Sequence, residues 1–348
     1  MTNIYGLTRK KLENLMVSIG EKPFRSTQIF EWIYRKNVDD LNLMTNIKKD
    51  SIDKLKNEIE FSSLKIEKSQ ISSDGTRKYL FRLQDGNFVE TVLMNHEYGL
   101  SVCVSTQVGC NMGCAFCASG LNKKVRNLEV HEMVLQVQMI NKILNEENKR
   151  VSHVVVMGIG EPFDNYDNLL DFLRIINDAK GLEIGSRHIT VSTCGIVPKI
   201  IEYSDFELQV NLAISLHFAT DEKRSKYMNI NKAYNISQLM ESLNYYYKKT
   251  NRRITFEYIL LKDINDNIED AKKLIKLVKG INCYINLIPM NSTINDFTRS
   301  TEEKSKAFYE TLIKNNINVT LRKEQGHDID AACGQLRIKT MQGEICKD

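Results

Sequence analysis

From residue 101 onward the chain alternates strand-like and helix-like stretches, and nothing else in the sequence constrains the fold as strongly. Strand candidates lie at 101–106, 153–159, 188–194, 209–217, 253–261, 283–290 and 317–322. Helical periodicity fills most of the intervals; the clearest case puts Val130, Met133, Val134, Val137, Ile140 and Leu144 on one face. Parallel neighbours need a crossover long enough to hold a helix, so this alternation predicts a parallel sheet. Six or more such units predict a complete or partial barrel. The first three strands are nearly all β-branched, the pattern of strands covered on both faces.

In such a fold the chemistry gathers at the C-terminal ends of the strands, and unusual residues fall there. The first strand runs into Cys103-Val-Ser-Thr-Gln-Val-Gly-Cys110-Asn-Met-Gly-Cys114-Ala-Phe-Cys117. The second ends Met157-Gly-Ile-Gly160-Glu161-Pro162, the third carries Ser192-Thr193, the fourth ends Ser215-Leu216-His217, and the sixth ends Pro289-Met290-Asn291. Three thiolates at C-x3-C-x2-C spacing can converge as soft ligands for iron–sulfur or zinc. Four would close a structural site, whereas three leave a position open for a substrate or cofactor. No His or Cys lies close behind Cys117 to complete a zinc knuckle. Eight cysteines in 348 residues are too sparse for a disulfide scaffold.

The first sixty residues read as three short amphipathic helices. Leu12, Leu15, Met16 and Ile19 follow the cap candidate Thr8; Ser26 opens a helix with Ile29, Phe30, Ile33 and Tyr34; Thr45 opens a third with Ile52, Leu55 and Ile59. Their outer faces are rich in Lys and Arg, which suits either RNA or solvent. A hairpin follows, with Tyr79, Phe81 and Leu83 alternating before the Asp85-Gly86 turn and Phe88, Glu90, Val92 and Met94 after it. Glu90 is a carboxylate among apolar neighbours. It is either an edge-strand side chain reaching solvent or a desolvated base. The expected organisation is a helical RNA-binding module at 1–62, a β-hairpin region at 63–95 and a barrel at 96–348. A net charge of +4 permits an RNA partner without demanding one. No apolar run is long enough for a bilayer, and the start lacks a signal-peptide core, so a cytoplasmic protein is expected.

The motifs GEKPFRSTQIFEWIY, VETV around Glu90, CVSTQVGCNMGCAFC, MGIGEP, HITVSTCGIVPKI, NLAISLH and IDAACGQL run colinearly over almost the whole chain. Together they resemble the RlmN/Cfr adenine methyltransferases of the radical S-adenosylmethionine (SAM) superfamily, and the RlmN branch more than Cfr. The resemblance implies a partial (β/α)6-type radical-SAM barrel with an N-terminal helical module and a hairpin extension. It implies that Cys110, Cys114 and Cys117 hold one [4Fe–4S] cluster. SAM would lie against Gly160, Glu161, Ser192, Ser215, Leu216, His217 and Asn291, with two SAM molecules used per turnover. Cys333 would carry the methyl group, and a radical derived from the second SAM would activate it. Glu90 would remove the ring proton, and Cys103 would release the product through a Cys103–Cys333 disulfide. The implied substrates are an adenosine of 23S rRNA in the peptidyl-transferase centre and the adenosine 3′ to the anticodon of some tRNAs. Methylation would occur at C2, the Cfr-type alternative being C8 of the same rRNA adenosine. A flavodoxin or ferredoxin would supply electrons, and the chain would act as a monomer. Lys123, Lys124 and Arg126 are candidates for phosphate contact at the barrel mouth, while Cys194 and Cys283 read as inert core residues.

Overall fold

The structure, a computed structural model, describes residues 1–121, 123–290, 297–323, 325–326, 328–330 and 334–345. Asn291 and Cys333 therefore lie outside the described residues.

The N-terminal module runs β1 (Thr2–Asn3), α1 (Arg9–Ser18), α2 (Arg25–Tyr34), α3 (Lys49–Lys56) and β2 (Ile59–Glu60), its two short strands pairing in parallel. The Thr8 hydroxyl caps α1 by accepting from Lys11 N–H, as its position before the apolar repeat predicts. The third helix begins at Lys49 rather than Thr45, and Ile59 falls in β2 rather than on a helical face. Much of the basic surface is spent on docking. Arg9 pairs with Asp178 at 2.8 Å, Lys11 pairs with Asp171, and Lys142 reaches Asp39 at 2.9 Å.

One ten-stranded sheet dominates the molecule. β3 (Lys65–Ile71), β4 (Arg77–Arg82) and β5 (Phe88–His96) form an antiparallel meander that continues into β6 (Gly99–Cys103). Beyond β6 the ribbon β7 (Gln107–Val108) and β8 (Arg126–Asn127) precedes α4 (Val130–Asn145), β9 (His153–Val156), α5 (Tyr166–Asn177), β10 (Ile189–Thr193) and α6 (Val197–Tyr203). Next come β11 (Asn211–Ser215), α7 (Asp221–Tyr227), α8 (Ile230–Ala233), α9 (Ile236–Thr250), β12 (Ile254–Leu260) and α10 (Ile268–Val278). The chain finishes with β13 (Cys283–Pro289), α11 (Glu302–Lys314), β14 (Val319–Leu321) and α12 (Gln335–Ile345). The strand order is β14-β13-β12-β11-β10-β9-β6-β5-β4-β3, parallel from β6 to β14. Among the described residues β3 and β14 remain edges, so the expected partial barrel is an open, unclosed sheet. No helix among them is long and apolar enough to cross a membrane.

The two faces of the sheet differ in chemistry. Val102, Val154, Val191, Leu212, Phe256 and Ile285 point to one side, into a core shared with Met133 of α4, Phe172 of α5, Leu239 of α9 and Phe308 of α11. The register puts Glu90, Val92, Cys103, Val155, Thr190, Ser192, Ser215, Glu257 and Asn286 on the other side. There β9 alternates half-buried and buried residues, whereas two-sided burial was expected from its β-branched run. Helices α4, α5, α9 and α11 lie on the first face, while α12 covers the β4–β5 part of the second, where Leu336 packs on Leu80 and Phe88.

Candidate active site

The three motif cysteines sit on a loop with a closed neck. Gln107 pairs with Asn127 and Val108 with Arg126, and Val125 N–H donates to the Val108 carbonyl at 2.7 Å. Inside this neck Gly109 and Gly113 adopt left-handed backbone (φ 80° and 60°) that residues with side chains avoid. Phe116, between the second and third cysteines, anchors the loop over the strand ends. Its ring meets His217 edge-on at 5.0 Å and lies 6.1 Å from Phe218. Ala115 N–H also donates to the Tyr227 carbonyl at 2.9 Å.

Cys110, Cys114 and Cys117 are half-buried. Burial pushes the Cys110 thiol up to about 12, with Cys117, Glu161 and Asp164 adding to the effect. The same causes raise Cys114 further, with Cys117 and Cys110 ahead of Glu161. Among the described residues no three His, Cys, Asp or Glu side chains gather tightly enough for a single metal ion. Three thiols whose charges crowd one another, with no His or Cys close behind Cys117 to act as a fourth ligand, suit a polynuclear group offering each its own iron, and its positive charge would relieve their crowding. The donor set therefore fits an iron–sulfur cluster better than zinc.

The Gly-Ile-Gly-Glu turn packs directly beneath this loop. A Cβ at Gly158 would stand 2.7 Å from Val104 backbone atoms, and one at Gly160 would stand 2.7 Å from the Gln107 side chain. Gly160 also has φ 112°. These glycines end the strand at Val156, short of residue 159, because backbone must approach backbone here. Glu161 is 3% exposed, and burial pushes its carboxyl up. One oxygen accepts from Phe163 N–H (3.0 Å) and the other from Cys194 N–H (2.8 Å).

The strand-end polar residues do come together. Ser192 and Ser215 hydroxyls lie 3.3 Å apart on adjacent strands, and Leu216 is fully buried beside them. His217 has φ 57°, and its Nδ1 accepts from Ile259 N–H at 3.2 Å, which places any ring proton on Nε2. Burial, reinforced by the Arg224 guanidinium, pushes His217 down to about 3, so the ring is neutral. Arg224 is 0% exposed and ties two strand-end loops to α8. It donates to Leu216 O (3.2 Å), Cys194 O (2.6 Å) and Asn231 Oδ1 (3.0 Å). Sequence reading passed over it, since Asp-Glu-Lys-Arg on a short helix looks solvated. Glu257, also passed over, is buried on the second face with Asn286 donating to it at 3.0 Å.

Glu90 is buried rather than solvent-facing, at 3% exposed, beside Lys78 at 0% and 2.9 Å away. Its oxygens accept from Gly334 N–H (2.6 Å) and Arg337 N–H (2.7 Å), capping the N-terminus of α12. The same meander grips the chain just upstream. Lys78 and Gln70 hold Asp330, Ser72 and Ser73 hold Asp328, and Asp74 accepts from Gly326 N–H at 2.8 Å. Cys103 lies buried on the neighbouring strand with Val92 and Met94. The basic trio expected to meet phosphate is partly committed within the chain. Lys124 pairs with Asp164 at 2.6 Å and Arg126 with Glu132 and Asp85 at 2.6 Å each, leaving Lys123 exposed. Cys194 and Cys283 are buried, and burial raises both thiols, consistent with inert packing.

Comparison with known proteins agrees with this geometry. Residues 2–61 match the ribosomal RNA large subunit methyltransferase N-terminal domain, and residues 104–278 match the radical SAM superfamily. A Listeria welshimeri protein named "Probable dual-specificity RNA methyltransferase RlmN" is 54% identical over 347 residues, covering 98% of this chain and 95% of that one. A protein of the same name from Geobacillus kaustophilus is 53% identical over 345 residues, covering 99% and 94%. The crystal structure of a radical SAM methyltransferase from Sphaerobacter thermophilus superposes with a TM-score of 0.90 at 38% identity, covering 96% of this chain and 99% of that one. With both of its regions matched and its relatives aligned nearly end to end, the chain belongs to the RlmN family of radical-SAM RNA methyltransferases.

Proposed function

We propose that this enzyme methylates C2 of one adenosine in the peptidyl-transferase centre of 23S rRNA and of the adenosine 3′ to the anticodon in some tRNAs. The observation that carries the reading is the meeting of Glu90, the neighbouring strand of Cys103, and the described residues Asp330 and Gly334 on either side of Cys333 in the sequence. Glu90 accepts from Gly334 N–H, and the strand that carries Glu90 pairs Val92 with Cys103. A ring carbon of adenine is electron-poor and does not displace a methyl group from SAM, so a nucleophilic relay is needed. The Cys333 thiolate would take that methyl group from a first SAM. Cys110, Cys114 and Cys117 would hold the [4Fe–4S] cluster, and Gly160, Glu161, Ser192, Ser215, Leu216, His217 and Asn291 would hold SAM. When bound, the cluster supplies the electron that cleaves a second SAM and so activates the Cys333 methyl group.

After the carbon bond to adenine forms, the adduct would still carry an unpaired electron, to be given up to the oxidised cluster held by Cys110, Cys114 and Cys117, and Glu90 would accept the C2 proton. One of its oxygens must first leave the Gly334 or Arg337 amide, so the docked arrangement is a resting one. The Cys103 thiolate would then attack the Cys333 sulfur, forming a disulfide as the base departs with the electron pair of the broken carbon–sulfur bond, and that carbon would take up a proton to complete the methyl group. A thiol reductant restores the pair. A flavodoxin or ferredoxin would reduce the cluster, with the enzyme acting as a monomer in the cytoplasm.

Mass spectrometry of nucleosides from target RNA, after anaerobic incubation with reconstituted enzyme, SAM and reductant, tests this directly. A 2-methyladenosine peak is expected. An 8-methyladenosine peak instead would move the chain to Cfr chemistry, and neither peak with SAM still cleaved would refute the RNA assignment.

A further inference from the structure

The second face of the sheet carries another constellation, below Cys103 at the N-terminal ends of the strands. His96 from the end of β5, Tyr98 from the following turn, His153 from β9 and His188 from just before β10 bring their rings into one ladder. His96 and Tyr98 stack with centroids 4.6 Å apart and planes at 12°; Tyr98 meets His153 edge-on at 4.8 Å; His153 and His188 stack at 4.3 Å and 21°. The register shows that the ladder shares the face of the candidate site. Cys103 pairs with both Val92 and Val155, His153 lies two residues before Val155, and His96 lies two after Met94. Two strand residues span about 7 Å, so His153 stands roughly that far below the Cys103 row.

Packing does not account for this row. Tyr98 is 64% exposed and His188 is exposed as well, so two of the four rings present faces to water. His153 Nδ1 is engaged by Ser152 Oγ at 2.9 Å, and His96 Nδ1 by Gln325 Nε2 at 3.3 Å. Burial lowers both His96 and His153; Arg322 adds to the first, and His188 and His96 to the second, which favours the uncharged form of these two rings. Exposed Arg187 precedes His188 in the chain, and the charge of exposed Arg322 acts on His96, while Glu97 lies between His96 and Tyr98. Exposed flat rings, next to excess positive charge, are the chemistry that binds unpaired nucleotides by stacking bases and neutralising phosphates.

We propose that His96, Tyr98, His153 and His188 form a stacking shelf for an unpaired base of the RNA substrate, beside the nucleotide that enters the site. This rests on the proposed function, in which the target adenosine reaches Glu90 and Cys103 on this same face. A base held on the shelf while its neighbour passes toward Cys103 keeps the strand splayed and repays part of the unstacking that such enzymes impose.

The test uses the full-length reconstituted enzyme and a short single-stranded RNA carrying 2-aminopurine, whose fluorescence falls on stacking. A matched RNA with an abasic site in its place serves as control. The variants are Tyr98→Ala, His188→Ala, their combination, and Tyr98→Phe. Wild-type enzyme should quench the probe and prefer it to the abasic RNA. The combined variant should bind the probe about 5- to 150-fold more weakly and lose that preference, while Tyr98→Phe stays near wild type. Reductive SAM cleavage without RNA should be unchanged in all four, which separates a lost shelf from a damaged fold. If wild-type enzyme binds the probe and the combined variant binds it equally well, or weakens equally toward the abasic RNA, the shelf is refuted. If wild-type enzyme binds neither RNA, the assignment of this face to RNA fails, and the shelf fails with it.

Discussion

Replacing Glu90 with alanine isolates the clasp between the antiparallel meander and the C-terminal segment. The substitution leaves Lys78, which is 0% exposed, without its carboxylate, and strips the acceptor from Gly334 and Arg337 N–H. Removing one partner of a buried ion pair costs about 3–5 kcal/mol, and a hydrogen bond to a charged group contributes about 1.5–3 kcal/mol. These contributions overlap, and Lys78 keeps the Asp330 carbonyl, so a combined loss of about 4 kcal/mol is expected. The loss is local, because α12 touches the sheet mainly through Leu336 against Leu80 and Phe88. Hydrogen exchange resolves it: amides at 334–340 should exchange about 10³-fold faster, at 1.4 kcal/mol per tenfold, while those of β9 to β12 stay protected. Glu90→Gln keeps the shape without the charge and should lose about half as much free energy. Lys78→Met combined with Glu90→Ala should recover part of the loss, since no buried charge is then left alone. Wild-type exchange at Gly334 and Arg337 in Glu90→Ala, or strict additivity in the pair, would refute the clasp.

Other consequences are as specific. In turnover assays Glu90→Gln should accumulate an RNA–protein adduct through Cys333, visible on denaturing gels; free product at the normal rate excludes Glu90 as proton acceptor. Gly160→Ala forces a Cβ to 2.7 Å from Gln107 at φ 112°, at a cost of roughly 2–6 kcal/mol; SAM affinity measured by calorimetry should collapse, and unchanged affinity would place SAM elsewhere. His217 is held near 3 against 6.5 unfolded, so the unfolded chain binds the extra proton between those values. Stability is complete above pH 6.5 and falls with acid by up to about 1.4 kcal/mol per pH unit. His217→Asn, whose side chain tolerates a left-handed backbone and can still accept from Ile259 N–H, should flatten that decline in urea titrations. Phe116→Ala removes the ring packed on His217 and Phe218 and should cost about 3 kcal/mol, seen as faster loss of iron absorbance to a chelator.

Features carried by local sequence were legible, and features made by register were not. The strand–helix alternation located every parallel strand of the ten-stranded sheet within a few residues, because β-branched runs report directly on burial. The cysteine loop and the Gly-Ile-Gly-Glu turn were legible for a similar reason, since a close backbone approach demands glycine. β3 escaped notice because Lys-Ile-Glu-Lys-Ser-Gln-Ile is almost wholly exposed and has no apolar face. Its partners, Asp328 and Asp330, lie more than 250 residues downstream. Arg224 looked solvated because nothing nearby in sequence shows that three carbonyl and amide oxygens wait for it. Glu90 left two readings open from its neighbours alone, and only the fold reveals the lysine beneath it and the helix end above it.

The neck of the cysteine loop has a consequence for the life of the cluster. Hydrogen bonds between residues 107–108 and 125–127 hold the two ends of this excursion together, and Phe116 fixes its tip. The entropy of closing the loop is therefore met by protein contacts rather than by iron. A domain whose loop is closed by its metal unfolds when the metal leaves. Here, oxidative loss of iron would leave a shaped receptacle in an intact sheet. If Cys110, Cys114 and Cys117 hold the cluster as proposed, the enzyme would be able to lose its inorganic centre to oxygen and be reloaded in place, so that exposure to air would interrupt its working life without ending it.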